Sequence, residues 1–247
     1  VDREEEIRAF KPEEYWTIDA KLIPKGGRKA FPASFYGDEA GNKIKISNKE
    51  EADAILEKLE DAQFTVAKLK KGSRRKSPAP PFSTSTMQQE ASKALNFSIQ
   101  KTMRVAQQLY EGVEVKGHGT IALITYLRTD STRVAEEADL AARKYIEEQY
   151  GKQYVSVLEN NRKNTGKIQD AHEAIRPTDI TLTPARVKES LPRDLFRLYQ
   201  LIWKRFAASR MAPAVYDTVS VKVKAGEYSF SLSASKLAFD GFMSVYV

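Results

Sequence analysis

Apolar positions along this chain switch between two periods. From Tyr15 to Lys25, and again over Phe31 to Tyr36 and Lys43 to Ile46, they alternate like half-buried strands, separated by turn formers at Pro24, Gly26 and Gly27 and from Gly37 to Gly41. Ser47 with Glu50 three residues on reads as a capping box, and Ala52, Ile55, Leu56 and Leu59 then fall on one helical stripe. Gln63 to Lys71 returns to strand, and Pro78, Pro80 and Pro81 form a stiff boundary. Ser85 with Gln88 is a second capping box, opening a helix that runs to about Leu95. Asn96 stands where a left-handed helix end favours Gly or Asn, and Ser98 starts a further helix ending at Gly112. Two helices joined so tightly predict a helix-turn-helix.

Beyond it, the run Ile121 to Ile124 predicts a strand that ends near Tyr126, followed by a helix from about Thr132 to Tyr150 with Gly151 past its end. Arg193 to Ser209 is helical, with Leu195, Leu198, Tyr199, Ile202 and Phe206 inward. Val215 to Lys224 and Tyr228 to Leu237 are strands flanking the Ala225-Gly226 turn, and Phe242 to Val247 alternates as a last strand. Strands at both ends around a helical middle predict a multidomain α+β fold, a β-rich domain with a mainly helical domain inserted. The expected boundaries are 1–14 for the remnant of a neighbouring helical domain and 15–77 for the first part of the β-rich domain. The helical domain, with the helix-turn-helix and Tyr126, covers 78–212, and 213–247 completes the β-rich domain. Val1 to Arg8 reads as a helix tail without a start signal, so the chain is expected to be a piece of a longer protein.

Composition narrows the class without naming it. Of 247 residues, 41% are apolar and 30% charged, which suits a soluble globular chain, and no apolar run reaches membrane-spanning length. The absence of cysteine removes disulfides and thiolate metal sites and fits a cytoplasmic setting. The excess of 40 Lys and Arg over 33 Asp and Glu, +7 in all, is compatible with a polyanionic partner but does not require one. Lys68 to Lys76 is the sharper signal. It holds six cations, Arg74 and Arg75 among them, and no acid, so it reads either as a solvated linker or as an electrostatic track along a DNA backbone.

The segment Ile124-Thr125-Tyr126-Leu127-Arg128-Thr129-Asp130-Ser131 carries the chemistry. In extended backbone Tyr126 and Arg128 point to the same side, so one phosphate touches both. A tyrosine oxygen is a competent covalent nucleophile, and an arginine fork holds a phosphate and spreads its charge. Thr129, Asp130 and Ser131 also fit a helix start, a role compatible with touching DNA. Ser83, Thr84, Ser85 and Gln88 offer neutral donors near another helix start, a favourable place for an anion.

The wording of this block closely resembles the active-site motif of type IA DNA topoisomerases. Two further blocks resemble the same family in the same order: Ser77-Pro78-Ala79-Pro80-Pro81-Phe82-Ser83-Thr84-Ser85-Thr86-Met87-Gln88-Gln89 and Asp170-Ala171-His172-Glu173-Ala174-Ile175-Arg176-Pro177-Thr178. The resemblance covers nearly the whole chain. It implies that Tyr126 is the nucleophile forming a 5′-phosphotyrosine, that Arg128 stabilises the transferred charge, and that His172 contacts the scissile phosphate region or tunes the tyrosine proton. Arg176 becomes a further candidate DNA contact. It also implies that the β-rich domain is a hinge and that single-stranded DNA is the partner. The family's acidic magnesium cluster and general-acid glutamate have no counterpart here, so this chain is expected to hold no metal and to be inactive alone. Mg2+ belongs to the full-length enzyme, on an N-terminal metal-binding domain. One phosphodiester replaces another in such a reaction, which therefore needs no ATP. Leu127 and Glu173 resemble the bacterial topoisomerase I branch, with reverse gyrase retained as an alternative, and a monomer associated with the nucleoid is expected. The rival classes are a non-enzymatic helix-turn-helix DNA-binding module, in which Tyr126 is structural, and a scaffold whose basic run grips a partner.

Overall fold

The structure, a computed structural model, describes residues 2–157 and 172–246. In chain order it contains α1 (Asp2–Ala9), β1 (Asp19–Leu22), β2 (Phe31–Asp38), α2 (Lys49–Leu59), β3 (Phe64–Lys76), α3 (Thr84–Leu95) and α4 (Ile99–Glu111). There follow β4 (Val113–Val115), β5 (Gly119–Ile121), α5 (Glu136–Tyr150), α6 (Pro184–Val187), α7 (Arg193–Ser209), β6 (Ala214–Ala225) and β7 (Tyr228–Phe239). The fold is α+β. Two compact units divide the chain, one formed by residues 1–74 and 217–236, the other by 75–216 and 237–247.

The first unit is built on a five-stranded sheet in the order β1-β2-β7-β6-β3. β1 and β7 both pair antiparallel with β2, and the β2–β7 register shifts between Phe35 and Gly37. Gly37 is required there, since a Cβ would lie 1.8 Å from the Asn42 carbonyl oxygen. α2 buries Ala52, Ile55 and Leu59 into a core that also holds Ile18, Ile46, Val223, Tyr228 and Phe230. Rings of Phe35 and Phe64 pack on Phe230 at centroid distances of 5.6 and 5.4 Å.

β3 corrects an expectation. Instead of ending near Lys71, the strand continues to Lys76, and all of its residues are exposed. The basic run is therefore edge strand and not linker. Cations along an unpaired sheet edge also discourage pairing with other chains. The α2 start shifts by one residue: Asn48 is the cap, accepting from the Glu51 N–H at 2.8 Å, while the Ser47 N–H donates to the Glu51 carboxylate. Lys43 and Ile46 enter only isolated bridges, not a strand.

The second unit is mainly helical. Its core gathers Phe82, Met87, Leu109, Leu123, Ile124, Leu127, Ile175, Leu198, Ile202 and Phe206, all at most 1% exposed. α7 runs through this core, and its polar ring atoms find backbone partners: Tyr199 Oη donates to the Leu182 carbonyl, and Trp203 Nε1 to the Ile180 carbonyl at 2.9 Å. Burial pushes the Tyr199 phenol well above its ordinary range. Asn96, with φ 57° and ψ 40°, ends α3, and Ser98 caps α4. α3 begins one residue before the expected Ser85, and its capping box joins Ser83 to Thr86, not Ser85 to Gln88. α5 starts at Glu136, not Thr132, and Phe242 lies in a short 3-10 turn (Gly241–Ser244) where a strand was expected.

α5 is fastened to the end of α7 by one acid. Asp139 bonds Arg143 on its own helix and Arg210 at 2.8 Å, and the three side chains are 14–16% exposed. Burial acts to raise the Asp139 carboxyl, but the two arginine hydrogen bonds outweigh it and leave it below its ordinary 3.8. A lowered carboxyl contributes stability that is complete above its unfolded pKa and is lost as pH falls through the folded one. Asp139→Ala should therefore cost about 3 kcal/mol near neutral pH by stranding two part-buried guanidiniums. Urea unfolding of parent and variant should show that gap at pH 7 and a much smaller one in acid; an equal gap at both would remove the ion pair as its cause.

Candidate active site

Three segments far apart in sequence meet on the helical unit and hold one another through the backbone. The Thr84 N–H donates to the Thr129 carbonyl at 2.8 Å, and the Thr129 N–H donates back to Thr84 Oγ1 at 2.8 Å. Thr84 Oγ1 in turn lies 2.7 Å from the Leu127 carbonyl as donor. The Ile175 N–H donates to the Phe82 carbonyl, and the Thr125 N–H to the Arg176 carbonyl. Thr125 Oγ1 closes the set, donating to the Ala174 carbonyl at 2.8 Å and accepting from the Arg176 N–H at 3.0 Å. The beginning of α3, the segment around Tyr126 and the segment after His172 are thereby a single assembly.

Tyr126 is not on a strand. After β5 the chain makes only an isolated bridge, Ile124 with Pro177, and bends at Leu127 and Arg128. Burial nevertheless keeps a period of two: Tyr126, Arg128 and Asp130 are exposed, while Leu127, Thr129 and Ser131 are 1%, 8% and 9% exposed. Leu127 is the apolar anchor that turns its two neighbours outward. The Tyr126 ring, 46% exposed, meets Tyr110 of α4 edge-on at 5.5 Å between centroids.

Arg128, Asp130, Thr84, Ser85, Thr129 and His172 line an open cleft of about 400 Å³. Arg128 enters no hydrogen bond or ion pair among the described residues, so its five donors are available to an anion. Tyr126 is not part of the cleft wall; it is exposed and lies two residues before Arg128 in the chain. Among the described residues no three His, Asp or Glu side chains gather in a way that holds a metal ion.

A family profile described as DNA topoisomerase matches residues 1–247. The chain belongs to the DNA topoisomerase family. Among solved structures it is similar to full-length topoisomerase I from Thermotoga maritima, at 38% identity and a TM-score of 0.79, over 99% of this chain and 38% of that one. The chain thus spans well under half the length of that topoisomerase.

The remaining candidate residues divide by position. His172 is exposed on the cleft, while Asp170 and Ala171 of its block lie outside the described residues. Ser83 is buried as the α3 cap, bonded to Ser85 and Thr86, so it shapes the helix start instead of facing the cleft. Gln88 lies one turn into α3, away from the cleft wall. Thr129 and Ser131 do not cap α5, whose cap position is Ala135; they close two successive turns, accepting from the N–H groups of Ser131 and Arg133. Arg176 turns its guanidinium to Glu173 at 2.8 Å and to the Pro177 carbonyl, and is largely covered. Arg74 and Arg75 sit on exposed β3 and are not cleft residues.

Three contributors had not been singled out. Tyr110 supports the Tyr126 ring, and Thr125 anchors the backbone just before it. Arg205 of α7 donates to the Pro80 carbonyl at 2.7 Å and lies 4.8 Å from the Phe82 ring centroid, which steadies the chain leading into α3. Only Thr125 carried a signal, its place inside the Tyr126 block.

Thr84 is the junction on which the cleft wall turns. Thr84→Val removes its hydroxyl but keeps its branched shape, and should cost about 2 kcal/mol by leaving backbone groups of Leu127 and Thr129 short of partners. Thr84→Ser should keep most of that stability. Amide exchange at Thr129 is the local readout: it should quicken in the valine variant alone, and unchanged protection there would dismiss the hydroxyl as the tie.

Proposed function

We propose that this chain is the tyrosine-bearing part of a type IA topoisomerase that cuts and rejoins one DNA strand to relax negative supercoils. The observation that carries the reading is the exposed pair Tyr126 and Arg128, held outward by Leu127 beside a cleft with an unengaged guanidinium. Family membership and the similarity to a topoisomerase I support it.

In the proposed reaction the Tyr126 oxygen attacks the phosphorus of a DNA phosphodiester. The bond from oxygen to phosphorus forms as the bond from phosphorus to the 3′ oxygen breaks. The phenol loses its proton, the departing 3′ oxygen gains one, and the 5′ phosphate remains on Tyr126 as a diester. Rejoining is the reverse attack. Both states contain one phosphodiester, so no nucleotide is consumed.

Positioning and electrostatics are the means available for such a transfer. Arg128 would hold the non-bridging oxygens, as a fixed fork fits them in pairs. Thr84 and Ser85 border the same space at the start of α3, a 12-residue helix whose positive end favours a phosphate. His172, on the cleft wall, is assigned to contact the scissile phosphate region or to tune the tyrosine proton. The acid that protonates the 3′ oxygen, and the acidic cluster for Mg2+, are assigned to a metal-binding domain of the whole enzyme. The β-rich unit is assigned the hinge, with the helical unit inserted in it. The α3–α4 pair is assigned as a helix-turn-helix, and Arg74, Arg75 and Arg176 as secondary DNA contacts. A monomeric cytoplasmic enzyme acting on single-stranded DNA completes the assignment.

The chain, combined with the metal-binding portion of a related topoisomerase, a single-stranded oligonucleotide and magnesium, should give a covalent protein–DNA adduct on a denaturing gel. Tyr126→Phe should give none, and an adduct that persists would defeat the assignment. Arg128→Ala should slow adduct formation by about 100-fold or more while weakening strand binding far less. Equal losses in both would mean that the guanidinium only grips DNA. Tighter binding of duplex than of single strands would favour a sequence-reading module instead.

A further inference from the structure

A second cleft, of about 560 Å³, opens on the helical unit between α4 and the start of α7. Arg104, Val105 and Gln108 form one wall, Arg193, Asp194 and Leu195 the other. Its charge is strongly one-sided. Lys101 Nζ lies 2.7 Å from the Asp194 carboxylate and 4.3 Å from the ring centroid of Phe97, and the Arg197 guanidinium lies 5.5 Å from the same centroid. Phe97 is buried, and both cations lie within cation–π range of its ring.

Asp194 is held below the ordinary carboxylate range first by the Lys101 hydrogen bond, with Arg197 and Arg193 adding to the effect. On the cleft wall itself Arg104 and Arg193 stand against the single acid Asp194, which Lys101 already neutralises from outside it. The Arg104 and Arg193 guanidiniums enter no hydrogen bond or ion pair among the described residues. α7 also begins here with Pro192 at its cap and no side-chain cap bond, so its leading N–H groups add positive potential to a cleft that already carries it.

This place is separate from the Tyr126 segment. α4 carries both Arg104 and Tyr110, but the two are about 9 Å apart along the helix axis and on different faces. A phosphate in the second cleft is therefore not the one beside Tyr126.

We propose that Arg104 and Arg193 bind successive phosphates of a nucleic-acid backbone in this cleft, a second strand-holding site on the helical unit. The guanidiniums stand on two different helices, which suits a ligand with repeated charges better than a single anion. Val105 and Leu195 give it an apolar floor for a sugar face. Membership of a DNA topoisomerase family favours nucleic acid over other polyanions. The binding needs no strand cleavage, so it stands or falls independently of Tyr126 chemistry.

The test uses the whole chain and a labelled oligothymidylate, with affinity read by fluorescence anisotropy across a salt series. Arg104→Ala with Arg193→Ala should weaken binding at least fivefold and reduce the slope of log affinity against log salt by about 1.4, the value for two contacts on a single strand. On the parent chain, oligothymidylate should shift the amide resonances of residues 193–195. Unchanged affinity and slope in the double variant would overturn the site. So would amide shifts produced equally by inorganic phosphate at matched phosphate concentration, which would mean a small-anion pocket only, or equal competition by an acidic peptide.

Discussion

An irregular backbone segment can be held rigidly only if something outside it satisfies its polar groups. Between β5 and α5 the chain has no ladder and no helix, yet it presents the residues on which the proposed chemistry rests. Thr84 and Thr125 make that possible. Each is a short branched side chain whose oxygen both accepts an N–H and donates to a carbonyl, at Thr129 and Leu127 in one case and at Arg176 and Ala174 in the other. These two hydroxyls replace the bonds that a strand would have supplied, and they do so between segments 43 to 51 residues apart in sequence. The segment is thereby free to bend while remaining fixed.

The bend has a chemical use. In a regular strand inside a sheet, the phenol of Tyr126 would project from one sheet face, against whatever layer packs on it. Here Leu127 sinks into the core shared with Met87, Leu109 and Leu198, and its neighbours on either side are driven outward. The burial alternation of a strand survives without the strand. Tyr110 limits the freedom of the exposed ring at little cost in access, since an edge-on contact leaves the rest of the ring and its hydroxyl open. A fixed backbone carrying an exposed side chain suits the nucleophilic role proposed for Tyr126.

Much of the fold was legible because it rests on local rules. Asn96 at a left-handed helix end, Ser98 as a cap, Gly112 and Gly151 past helix ends, and the bounds of α7 each follow from a few adjacent residues. What was not legible depends on partners far away. β3 runs on through its cations because it lies beside β6 in the sheet, and no local pattern of alternating burial marks it, since every residue of it is exposed. α5 starts late because Ser131 and Arg133 are taken up by turns and because the Arg133 carbonyl is bound by the Ala174 N–H. The residue types of the candidate site stood in the sequence, but their meeting did not. Hydrogen bonds between Phe82 and Ile175, or Thr125 and Arg176, leave no periodic trace.

The arginines show why residue type alone does not assign a role. Four of them belong to the region: Arg128, Arg176, Arg205 and Arg210. Arg176 is neutralised by Glu173, Arg210 by Asp139, and Arg205 is turned onto the Pro80 carbonyl and the faces of two aromatic rings. Each of these three commits two donor nitrogens to the protein, and each fixes a segment in place. A guanidinium already paired must give up that partner before it can hold a phosphate, at a cost that offsets much of the new attraction. Among the described residues Arg128 has no such partner to give up. Positive charge that no protein partner holds is what the proposed reaction would draw on, and by that measure Arg128 differs from the other three.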